Sequence, residues 1–197
     1  MVLLLEYLNV IIIGLAVITI FSAVLINFLS ASGEVKKQKK SIVETGTMTA
    51  FFILLYLVIK FRFGAIENNN IPLRAVLMFL GWIIIALGVY FNIDGRIQLG
   101  KNWANQIKIY KKHTLVSSGV YSVVRHPLYA SLIWMFYAAS FIYLNWIAFL
   151  MNTLVFIPFM YYRARQEEYL LTQRFKQYNA YKKRVGMFFP KVRWQSK

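Results

Sequence analysis

An all-α integral membrane fold with five transmembrane helices is what this sequence predicts, and three observations lead there. The first is composition: 59% of the 197 residues are hydrophobic and only 15% are charged, with a mean hydropathy of +0.52. A soluble domain of this size carries more charge. The second is clustering. The apolar residues form long runs, and a hydrocarbon core about 30 Å thick takes about 20 mostly apolar residues to cross. The third is charge asymmetry. Between successive runs, 20 Lys and Arg fall on one side and only Lys60, Arg62 and Arg74 on the other. Cytoplasmic segments carry the excess of Lys and Arg. The N-terminus is therefore expected outside and the C-terminus in the cytoplasm.

The runs cover residues 2–29, 46–63, 75–93, 128–144 and 146–162. The first is interrupted only by Glu6, Asn9 and Asn27. It is longer than a signal-peptide core and lacks a basic leader, so it reads as a retained span. Ser30-Ala31-Ser32-Gly33 ends it, and four lysines follow between residues 36 and 40. Lys60 and Arg62 lie close enough to the end of the second run to reach the interface. Glu67-Asn68-Asn69-Asn70 and Pro72 make the next turn. A long polar stretch, 94–125, separates the third run from the fourth. Asn145 alone separates the fourth from the fifth, which predicts an antiparallel helical hairpin. The tail from 163 to about 184 contains no Gly or Pro and reads as a continuation of the fifth helix. Gly186 and Pro190 would end it. The chain reads as one membrane domain, with polar segments 94–127 and 163–190 on the cytoplasmic side.

Several chemistries are excluded. There is no cysteine, hence no disulfide, thiol nucleophile or cysteine-based zinc site. Two histidines make a poor metal cage, and no metal is expected. No Ser-His-Asp set, phosphate-binding glycine loop or GxGxxG is present. The net charge of +16 lies beside apolar spans, which points to a membrane surface and not to nucleic acid.

Two polar segments hold the candidate chemistry. In Arg125-His126-Pro127-Leu128-Tyr129, Pro127 suits the first helical position and His126 falls near the N-cap. The free N–H groups of that turn would favour an anion; on the residues alone, an interfacial anchor of snorkelling Arg and Tyr is the preferred reading. In the second segment, Arg163 and Glu167 stand at i and i+4 on one helix face. They form either a structural ion pair or a charged pair facing a cavity.

Leu99-Gly100-Lys101-Asn102-Trp103, the run His113-Thr114-Leu115-Val116-Ser117-Ser118-Gly119-Val120-Tyr121, and Arg125-His126-Pro127-Leu128-Tyr129 resemble the isoprenylcysteine carboxyl methyltransferase family. Glu167-Glu168, Phe175, Tyr178, Tyr181, Arg184-Val185 and Phe189-Pro190 resemble the same family's C-terminal signature, in order. Phe175-Lys176 departs from its usual Phe-Gly, and the first two spans carry no matching motif. The resemblance implies S-adenosylmethionine as methyl donor in a cytoplasmic pocket. Carried over by position, its contacts are Gln106, His113, Thr114, Leu115, Val116, Tyr121, His126, Pro127, Leu128, Tyr129 and Glu167. Arg163 falls where the family places a substrate-binding arginine. It also implies a lipophilic acceptor drawn from the bilayer, with carboxyl O-methylation as the reaction.

A carboxylate acceptor is already ionised at neutral pH, so no general base is required. On this reading His126 and the helix N-terminus hold the donor's carboxylate, and Glu167 its ammonium or ribose. Tyr121 and Tyr129 pack on its adenine or sulfonium, and Arg163 orients the acceptor. Phospholipid amine methylation, a sterol reductase-like activity and a non-enzymatic membrane role are the alternatives left open.

Overall fold

The computed structural model describes residues 2–30, 35–38, 42–68, 70–100, 108–110 and 115–191. The chain is helical: α1 (Val2–Ser30), α2 (Ile42–Lys60), α3 (Ile71–Leu99), α4 (Val120–Val123), α5 (Pro127–Ile142), α6 (Trp146–Met151), α7 (Ile157–Arg174) and α8 (Tyr178–Arg184). A π-helical turn, Asn152–Phe156, joins α6 to α7 without a break. Among the described residues, three helical stretches are long and apolar enough to cross a membrane, namely Leu3–Ile26, Ile71–Leu99 and Trp146–Arg174. α2 and α5 are apolar but shorter. All five predicted runs are thus helical.

Three features differ from the expectation. α3 extends beyond its apolar run at both ends. Asn70 caps it by accepting the Leu73 N–H at 3.0 Å, and Gly100, at φ 46°, ends it. The tail is not one helix to 184. It breaks at Phe175, which is extended, and restarts as α8. Helix propensity is a weak prior there, and burial of Tyr178 and Tyr181 against Leu115, Leu171 and Phe175 outweighs it. A short antiparallel ribbon is the third. β1 (Val35–Gln38) pairs with β2 (Lys108–Tyr110), bringing the first polar loop against the long polar stretch.

The main interface is antiparallel, α3 on α5. Gly81, Gly88 and Gly95 recur every seven residues along α3. A β-carbon on Gly81 would run into Ile142, on Gly88 would lie 2.5 Å from Met135 Cγ, and on Gly95 would lie 3.2 Å from Pro127. Small residues let helix backbones approach closely where lipid removes the hydrophobic drive to associate. α1 lies parallel to α3 at its edge: Glu6 meets Arg74 at 3.3 Å and Asn9 accepts from Trp82 Nε1 at 3.2 Å. Phe51, Phe136 and Phe156 join α2 to α5 and the π-helical turn. Much of the remaining helix surface is exposed and apolar, Leu3, Phe21, Phe79 and Tyr90 among it. A face of that extent suits lipid.

The turns gather at two ends. At one, Ile66 N–H donates to Leu144 and Trp146 N–H to Gly64, while Asn145 caps α6 through Ala148 and donates to Phe63 at 2.9 Å. The hairpin expected at Asn145 is present, with Tyr143 and Leu144 completing its turn. At the other end lie the β-ribbon and the polar stretch before α5.

Candidate active site at the head of α5

Pro127 opens α5 and His126 is its N-cap, as the motif predicts. The approach is held by the far end of the chain. Arg125 N–H donates to Gly186 O at 2.8 Å and His126 N–H to Met187 O at 3.2 Å. Gly186 admits no side chain, because a β-carbon would collide with the Phe189 carbonyl. α7 passes alongside and presents Arg163, Glu167 and Glu168 at i, i+4 and i+5.

The two neighbouring glutamates have different surroundings. Glu168 is 2% exposed and surrounded by cations. Its Oε1 accepts from Arg125 Nε at 2.8 Å and faces His126 Nε2 at 3.3 Å, and Lys182 Nζ lies 2.6 Å from Oε2. Arg125 also donates to the carbonyls of Lys182 and Val185, gripping the end of α8. A buried carboxylate is tolerable only when paired in this way. Glu167 has a side chain 28% exposed. It accepts from the Tyr129 hydroxyl on Oε1 and faces His126 Nδ1 at 3.4 Å through Oε2. Each oxygen keeps a further lone pair for another donor.

Tyr129 lies between opposite charges. Its hydroxyl meets Glu167, and the Arg163 guanidinium stands 5.8 Å from its ring centroid. The His126 ring stacks parallel to it at 5.7 Å, and Phe188 meets the His126 ring edge-on at 6.2 Å. Burial alone would lower the His126 pKa. Hydrogen bonds and charge from Glu167 and Glu168 outweigh it and leave the imidazole above its ordinary value.

The predicted residues therefore fall into three places. His126, Tyr129, Glu167 and Arg163 form one contiguous cluster. Pro127 and Leu128 face Gly95 of α3. Tyr121 is buried, with its hydroxyl 3.4 Å from the Gly95 carbonyl, and its own carbonyl accepts from Tyr181 at 2.6 Å. Leu115 packs on the same Tyr178–Tyr181 wall, and Val116, half-buried, follows it. Gln106, His113 and Thr114 lie outside the described residues.

The imidazole of His126 is taken up by two carboxylates, so it does not present itself to an anion as its place at the N-cap suggested. Sequence reasoning also passed over Arg125 and Lys182. Arg125 was legible as part of the motif, whereas nothing in the linear order couples Lys182 to residue 168. Asn92, fully buried on α3, escaped notice as well. It donates to Ser131 at 2.8 Å and accepts from Arg96 Nε at 2.8 Å, tying α3 to α5 one turn inside the cluster.

The sequence profile of the isoprenylcysteine carboxyl methyltransferase (ICMT) family matches residues 76–173. The protein-S-isoprenylcysteine O-methyltransferase of Saccharomyces cerevisiae is 31% identical over 145 residues, covering 72% of this chain and 61% of the yeast protein. Protein-S-isoprenylcysteine O-methyltransferase B of Arabidopsis thaliana is 31% identical over 115 residues, covering 57% of this chain and 58% of the plant protein. The chain thus spans about three fifths of the length of these relatives. The solved structure of a eukaryotic intramembrane Ras methyltransferase, ICMT, superposes with a TM-score of 0.56 at 23% identity. The match covers 77% of this chain and 54% of that one, and it speaks for the fold. The matched region runs from α3 to the end of α7, so it contains the head of α5 and both glutamates. Residues 76–173 of the chain, from α3 to α7, carry the profile of the isoprenylcysteine carboxyl methyltransferase family.

Proposed function

We propose that the chain is an S-adenosylmethionine-dependent methyltransferase of the membrane that O-methylates a lipophilic carboxylate of the isoprenylcysteine kind. The relatives' activity motivates the reaction. The observation that carries it to these residues is the convergence on Tyr129, where a partly exposed carboxylate and a guanidinium flank one aromatic ring.

The donor set fits. S-adenosylmethionine supplies, when bound, a methyl group already activated on a sulfonium. Glu167 suits an ammonium or a ribose hydroxyl, and the Tyr129 ring offers a face to positive charge. Arg163, one helical turn from Glu167, suits the acceptor carboxylate through a paired, charge-assisted hydrogen bond. Leu115, Val116 and Tyr121 supply apolar wall. Leu128 joins them, and Gln106, His113 and Thr114 remain candidates by position in the motif. The residues' task is to hold two reactants together and exclude water; an ionised carboxylate requires no base.

Five spans, with the N-terminus outside and this cluster at the cytoplasmic face, remain the topology we favour. Its support is the charge count and the way the turns sort to two ends, with Asn145 opposite the cluster. A lipid acceptor would then enter sideways between helices.

The test is donor-binding calorimetry on the detergent-solubilised protein, followed by labelled methyl transfer to prenylated cysteine acids, fatty acids and phosphatidylethanolamine. Base-labile label on the prenylated acid is expected. Label on the amine alone would overturn the acceptor, and absence of donor binding would overturn the reaction. Arg163→Ala should lower kcat/KM for the acid by about 10- to 100-fold, the loss of a charge-assisted hydrogen bond. Donor affinity should change much less. An equal loss in donor affinity would remove Arg163 from the acceptor side.

A further inference from the structure

Both nitrogens of the His126 ring face carboxylate oxygens, Nδ1 toward Glu167 Oε2 at 3.4 Å and Nε2 toward Glu168 Oε1 at 3.3 Å. A neutral imidazole has one N–H and one acceptor nitrogen, and an ionised carboxylate only accepts. Only the imidazolium satisfies both contacts. A neutral ring would set a lone pair against one carboxylate, in a place where His126 is 7% exposed. Such a buried unmet group is costly. The ring cannot turn away either, being stacked on Tyr129 and met edge-on by Phe188.

We infer that His126 is a positioning residue: an imidazolium bridge that fixes Glu167 by tying it to Glu168, and through Glu168 to α8. The inference deepens the proposed function, since it rests on Glu167 serving the donor. One side of the bridge is anchored. Glu168 is held by Arg125 ahead of α5 and by Lys182 of α8. The other side is the partly exposed Glu167, whose second oxygen is held by Tyr129. His126 therefore passes the order of the C-terminal segment to the carboxylate that meets the ligand, without touching the ligand itself.

The bridge is linked to protons. The groups around it are Glu167, Glu168 and Arg163 of α7, Arg125 and Tyr129 at the head of α5, and Lys182, Tyr178 and Tyr181 of α8. Tyr121 of α4 and Asp94 and Arg96 of α3 stand beyond. Among these residue types only histidine ordinarily titrates near neutrality. The two glutamates raise its pKa in the folded protein. The stabilisation it gives is then fully present below the ordinary histidine value of about 6.5 and is lost as pH rises through the higher folded value.

Two measurements test this. The chain has only two histidines, so nitrogen-15 spectra of histidine-labelled protein, assigned with His113→Gln, report the His126 ring directly. Both ring nitrogens should be protonated at pH 6.5, with one proton lost at a higher pH; a single protonated nitrogen at pH 6.5 overturns the inference. This readout does not depend on any activity. The second is the Kd for S-adenosylmethionine against pH. Wild-type affinity should weaken about tenfold as the ring deprotonates. His126→Gln, which keeps one donor but no charge, should bind about tenfold more weakly than wild type at pH 6.5, match it once the wild-type ring has deprotonated and so lose that slope, with kcat at saturating donor changed much less. A pH slope retained in His126→Gln overturns the bridge. Binding absent at every pH in wild type overturns the proposed function, and the spectra still decide the imidazolium.

Discussion

The outer edge of the bundle and the head of α5 are built on opposite terms. α1 is almost wholly apolar, yet only a small fraction of it is buried in protein: among its described side chains the one buried is the polar Asn9, and Leu3, Leu15 and Phe21 stand exposed. It is joined to α3 by a row of side chains, one amide–indole hydrogen bond and one half-exposed ion pair. At the head of α5 charged groups are buried, each with a defined partner. The contrast follows from the solvent. In lipid an apolar side chain gains little by meeting another, so composition keeps α1 in the membrane without fixing its position. Charge–charge and hydrogen-bond geometry is directional, and there the structure is specified atom by atom.

The contrast can be broken from either side. The largest effect is expected for Glu168→Ala, which leaves Arg125, His126 and Lys182 without their shared anion. Removing one partner of a buried ion pair costs about 3–5 kcal/mol. Thermal unfolding in detergent should show it, with donor binding lost at the same time. A stable variant that still binds donor would mean that Glu168 does not hold the site. Next comes Gly88→Val. Its side chain would press on Met135 and the Ser131 carbonyl, and overpacking of this kind costs about 1–3 kcal/mol. Met135 is flexible, so the lower end is expected, and no change in melting would mean that α3 and α5 need not approach this closely. Smallest is Asn9→Leu, which removes the bond to Trp82. Interhelical hydrogen bonds in membranes average about 0.6 kcal/mol. A loss of several kcal/mol would show that α1 is specified as tightly as the site and erase the contrast.

The helices were legible because a membrane span is a local property. About 20 apolar residues suffice, and Pro127, Asn70 and Asn145 mark helix starts by chemistry that acts within one turn. The candidate site was legible as membership, since its motif residues are contiguous in sequence. It was not legible as geometry. Adjacent glutamates carry no sign of which one will be buried, and the choice follows from a rotation of 100° per residue about α7 against the neighbours each then meets. The break at Phe175 was equally hidden, because propensity from 163 to 184 favours one continuous helix and only long-range burial of Tyr178 and Tyr181 opposes it.

By itself, then, the sequence determined a helical membrane protein, where its apolar runs lie, how its positive charge divides, and which short motifs it carries. These depend on neighbours within a few residues or on simple counts. Tertiary structure alone decided that Glu168 is closed by Arg125 and Lys182 while Glu167 stays partly open, and that His126 lies between them. Arg125 and His126 meet the two glutamates across 41 to 43 positions, and Lys182 reaches Glu168 from a separate helix 14 positions on. These pairings exist because the α3–α5 glycine contact, the α5–α6 hairpin and the return of α8 bring three segments to one place, and no local pattern encodes that distance.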